Sequence, residues 1–97
     1  MNIGKDLNDF GWIVQLLKEQ EPDRDEILIA LKQCKNGTWE RKSYVRFVDR
    51  TTPNQPWSEW QFKENIVLEH PTEGTIVIDC LKDGRIGGIE FVSRIEI

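Results

Sequence analysis

Apolar residues recur at Leu7, Phe10, Val14 and Leu17, a spacing of three or four that gathers them on one helical face, and Ile13 widens the stripe. Asp6 stands where an N-cap would. Pro22 closes the run, because proline lacks a backbone donor and pushes the residue before it out of the α region. A second helical spacing follows at Ile27, Ala30, Leu31 and Cys34. Asp23 and Glu26 precede it three residues apart, as in a capping box, and Asn36-Gly37 supplies a left-handed stop. Ile27, Ile29 and Leu31 also alternate, so a strand competes for this segment. The start and stop signals favour the helix.

After Gly37 the period changes to two. Tyr44–Val48 reads as a short strand and Thr51–Pro56 as a turn-rich loop that no regular element could traverse. Trp60, Phe62, Ile66 and Leu68 share one parity while Gln61, Lys63, Asn65 and Glu69 take the other, which describes a half-buried strand. Glu64 falls on the apolar face, so a bulge is expected at or beside it. His70–Gly74 then turns the chain into two β-rich runs around Asp83-Gly84, a pair suited to a two-residue type I′ turn with φ > 0 at both positions. That turn sets Ile78 opposite Ile89 and Ile76 opposite Phe91. Gly87-Gly88 within the last strand implies a bulge or the close approach of another group. The expected fold is α+β: two N-terminal helices packed on one face of a four-stranded antiparallel meander that ends in the Asp-Gly hairpin, a single domain over residues 1–97.

Composition narrows the function. The chain has 97 residues, 38% of them hydrophobic, enough for one core without metal or disulfide. Its longest apolar run is five residues, Ile27–Leu31, against the roughly 20 needed to span a bilayer. Asp6 and Asp9 stand where a secretory signal would be basic or apolar, so no membrane association and a cytoplasmic location are expected. There Cys34 and Cys80 are expected to be two reduced, buried thiols. A net charge of −4 disfavours nucleic acid and suits a basic partner.

Candidate chemistry is sparse. His70, the single histidine, adjoins Glu69 but no nucleophile motif, and it reads as a loop residue. Two distant cysteines and one histidine make no metal-ligand spacing, so no metal and no cofactor is expected. Asp79 and Glu90 fall diagonally adjacent on the face opposite Ile78 and Ile89, with Lys82 and Arg85 near enough to relieve their repulsion; together with His70 they form the only enzyme reading. Trp57 lacks the core parity of Trp60 and reads either as a binding anchor beside Arg50 and Gln55 or as a cover for the open end of the sheet. Glu19, Glu21, Asp23, Asp25 and Glu26 crowd the helix junction. Asp23 and Glu26 suit the helix N-terminus. That leaves Glu19, Glu21 and Asp25, with Trp57, as the candidate partner-binding residues.

The segments Trp57–Phe62, Asn65–Leu68 and Glu73–Phe91 resemble small bacterial immunity proteins encoded beside polymorphic or contact-dependent growth-inhibition toxins. The resemblance covers roughly residues 38 to 95 and is structural, with no site motif to carry over. It implies a non-enzymatic protein that binds one cognate toxin domain, many of which have basic clefts, and covers its active site. A regulatory or structural interaction domain without any toxin is the alternative.

Overall fold

A computed structural model of the chain describes residues 10–96. Asp6 and Leu7, the expected cap and first apolar position of the first helix, lie outside the described residues. Helix α1 spans Gly11–Gln20 and buries Ile13, Leu16 and Leu17, with Phe10 buried just ahead of it. Leu16 replaces Val14 on the stripe. Val14 lies at its margin, half-buried against the core.

Helix α2 spans Asp25–Gln33 and buries Ile27, Ala30 and Leu31. Ile29 is 56% exposed, which removes the alternating-strand reading. The capping box does not form. Arg24, not Asp23, takes the N-cap position without a side-chain cap, and its guanidinium instead pairs with Glu26 and with Glu64 on the sheet. That pairing holds the Glu26 carboxyl below its usual range. The helix ends before the expected stop, and only Asn36 there takes a left-handed φ, of 58°. Gly37 is needed for space instead, since a Cβ would overlap Val45 and Phe47.

The sheet has five antiparallel strands rather than four: β1 Thr38–Arg41, β2 Tyr44–Arg46, β3 Phe62–His70, β4 Gly74–Leu81 and β5 Ile86–Phe91, in the order β1-β2-β5-β4-β3. Every residue of β1 is exposed, so it has no alternation to betray it. The order is not a meander. A central strand must be covered on both faces, and β5 is buried at five of its six positions, whereas β3 is buried only at Ile66 and Leu68 and therefore suits an edge. The long segment after β2 carries the chain across to that edge.

The main core lies between the helices and the sheet, and Ile76, Ile78, Ile89 and Phe91 are all fully enclosed in it. Ile78 pairs with Ile89 and Ile76 with Phe91, as the sequence pattern requires. The turn is of another kind. Only Gly84 has positive φ, Gly84 N–H donates to the Leu81 carbonyl and Leu81 N–H to Arg85, so three residues form the loop. The register shifts back between Asp79 and Cys80, leaving Gly87 as the surplus residue of a bulge. A two-residue turn would place Ile86 beside Leu81 on the opposite face. The observed loop pairs Ile86 with Cys80 and buries it in the main core, a gain of about 1.5–3 kcal/mol.

Candidate functional site

Away from the helices, the open face of the sheet carries a second small cluster of Tyr44, Val48, Trp60 and Leu81. Gly87 and Gly88 make room for it, since a Cβ on Gly87 would strike the Trp60 ring and one on Gly88 the Tyr44 phenol. Trp60 is thus buried, as its parity suggested, but on the other face. The bulge expected near Glu64 is the cause. Register shifts between Phe62 and Glu64, so Phe62 faces Leu81 on the open side while Glu64 faces Cys80 on the helical side.

Polar side chains ring this cluster. Tyr44 Oη donates to Asp79 Oδ2 at 2.8 Å, and Asn65 Nδ2 to Oδ1 at 2.6 Å. Burial and the Asp79 charge push the Tyr44 phenol well above its ordinary pKa, so it stays a donor. Arg41 donates to Glu90 Oε1 at 2.7 Å, and Glu90 Oε2 is buried without a partner among the described residues. Arg50 lies over both the Tyr44 and Trp60 rings, at 4.9 and 5.2 Å. Asp79 and Glu90 are diagonal neighbours on one face, as expected. Their charges are met by other groups than expected, because Arg85 turns back to Asp83 and Glu59. That ion pair holds the Asp83 carboxyl below its ordinary value.

His70 is tied into the fold. Its Nδ1 accepts the backbone N–H groups of Thr72 and Glu73 at 3.2 and 2.9 Å, and its ring stands edge-on to Trp12 of α1 at 5.0 Å. It therefore caps the β3–β4 turn on the helical side, whereas Asp79 and Glu90 lie on the open face. The three do not converge on one pocket.

Of the candidate partner-binding residues, Glu19 and Asp25 are exposed, Glu21 is half-buried and Trp57 is 74% exposed. The loop that carries Trp57 is fastened along its length. Asn54 N–H donates to the Trp60 carbonyl and Asn54 Oδ1 accepts from Phe62 N–H, while Gln61 Nε2 bonds the carbonyls of Gln55 and Ser58. Val48 and Trp60 seat the two ends of this segment on the open side. The acidic residues belong to the helical layer. Trp57 thus sits on the loop between β2 and β3, and Glu19, Glu21 and Asp25 on and between the two helices. Sequence parity missed Phe62, which is 37% exposed, because a single surplus residue inverts the pattern.

Cys34 and Cys80 are free and buried, and desolvation pushes their thiols up to about 12 and about 11. Among the described residues, no His, Cys, Asp and Glu side chains gather into a group that could hold a metal, and no helix is long and apolar enough to cross a membrane. No family model, curated protein or solved structure matches this chain.

Proposed function

We propose that this chain is a non-enzymatic binding domain that neutralises a basic toxin domain by covering its active site, in the manner of the bacterial immunity proteins it resembles. The observation that carries the reading is Trp57, an indole 74% exposed on a loop already fixed by hydrogen bonds. An anchor held in place before contact loses little conformational freedom on binding, and tryptophan is among the commonest hot-spot residues. The net charge of −4 adds long-range attraction for a basic surface, to which Glu19, Glu21 and Asp25 contribute. A cytoplasmic setting belongs to this reading, and the two free thiols support it.

The test uses the full chain and the catalytically inactive form of the toxin domain encoded beside it. Trp57→Ala is expected to raise the dissociation rate about 30-fold or more. Reversing Glu19, Glu21 and Asp25 to lysine should lower the association rate and flatten its salt dependence. Glu90→Gln and His70→Ala, where folded, should still neutralise the active toxin. Absence of any complex, or loss of neutralisation in those two folded variants, would reject the reading.

A further inference from the structure

We infer that the open face of β3 and β4 is the surface that takes the partner, and that its occupant is a basic protein surface presenting an apolar side chain. The inference rests on the toxin-neutralising reading and deepens it. Because antiparallel partners share a face, Phe62, Asn65, Val67 and Glu69 of β3 stand beside Leu81, Asp79, Val77 and Thr75 of β4 on the side away from the helices. Val67 is 51% and Phe62 37% exposed there, and Val77 is half-buried. The Tyr44–Trp60 cluster covers the β2–β5 half of this face and, through Leu81, the hairpin end of β4, leaving Asn65 to Glu69 of β3 and Thr75 to Asp79 of β4 outside it.

Charge selects the occupant. On the β1–β2 half, Arg41, Arg46 and Arg50 neutralise Glu90 and Glu40. On the β3–β4 half, the carboxylates of Asp79 and Glu69 accept hydrogen bonds, among the described residues, only from Tyr44, Asn65 and Thr75, and there neither enters an ion pair. An aliphatic strip between uncompensated carboxylates complements lysine or arginine flanking an apolar residue. A second copy would bring the same carboxylates together. Strand addition along β3 is obstructed as well, because the Gln20 side chain occupies both the N–H and the C=O of Glu69 on the outer edge. The partner therefore lies on the face, next to the loop of Trp57, and the acidic helix junction on the other layer acts only at a distance.

The experiment titrates the full chain with the inactive basic toxin domain. Val67→Arg should weaken binding about 30-fold or more, as for a central apolar contact. Glu69→Lys should slow association at low salt, an effect that fades as salt is added. Ile29→Arg, which alters an exposed apolar residue of α2, should bind as the parent does. Methyl resonances of Val67 and Val77 should shift in the complex of the unaltered chain, a readout that needs no substitution to fold. A complex that forms without those shifts and tolerates Val67→Arg overturns this surface and leaves the toxin reading standing. Failure to form any complex overturns both.

Discussion

Tyr44 and Trp60 lie where Gly88 and Gly87 offer bare backbone, and each ring is then crossed by the Arg50 guanidinium. The glycine pair marks a bulge or close approach in the sequence, and it turns out to be both. Which rings would arrive was not legible, since Tyr44 and Trp60 are far from the glycines along the chain. The cysteines were legible: Cys34 continues the apolar spacing of Ile27, Ala30 and Leu31, Cys80 shares the parity of Ile78, and both are buried free thiols. Their burial has a consequence for pH. An unfolded thiol ionises near 9.0, whereas Cys34 and Cys80 hold their protons to about 12 and about 11. Below pH 9 both states are protonated and this contribution is constant. Above it the unfolded state loses protons first, so stability should fall as pH rises from about 9 towards 11 or 12. Melting temperatures of Cys34→Ala/Cys80→Ala should decline less steeply over that range than those of the parent. A residual decline belongs to Tyr44, whose phenol is raised too. An unchanged slope would contradict the thiol assignment.

At the level of elements, periodicity identified both helices and four of the five strands, β2 to β5, with the pairing across the hairpin. It failed where a single residue was surplus. Lys63 and Gly87 each interrupt an alternation, and reading through them puts Phe62 on the wrong face and gives the hairpin the wrong turn. The register survives because the three-residue loop and the Gly87 bulge offset one another. β1 was missed for a different reason: it is held by pairing with β2 and by Trp39 stacking on Phe91 at 5.7 Å, neither of which imposes an alternation. The two faces of β4 provide the sharpest test. Ile78 is fully enclosed and Val77 is half-buried on the open face. Ile78→Ala should cost about 2–5 kcal/mol in chemical denaturation, and Val77→Ala about 1 kcal/mol or less. Equal losses would mean that something covers the open face in the isolated chain.

For the molecule as a whole, β5 joins two hairpins that do not otherwise pair, β1–β2 on one side and β4–β3 on the other. Its side chains at Ile86, Ile89 and Phe91 are buried in the main core. At about 1.5–3 kcal/mol for each buried side chain, removing them takes away a sum comparable with the 5–15 kcal/mol by which such a domain is stable. A chain truncated after Arg85 should therefore show no cooperative melting in circular dichroism, even though both helices and both hairpins remain in its sequence. A cooperative transition in that chain would show that one hairpin and the helices suffice. Biosynthesis makes the same dependence a matter of time. The ribosome delivers the first two strands long before the strand that will lie between them and the others, so during translation Val45 and Trp39 wait beside a space that only Ile86–Phe91 can fill. Until that segment emerges, the two hairpins have no strand to join them, and completion of the sheet waits on β5, the last of its five strands in chain order.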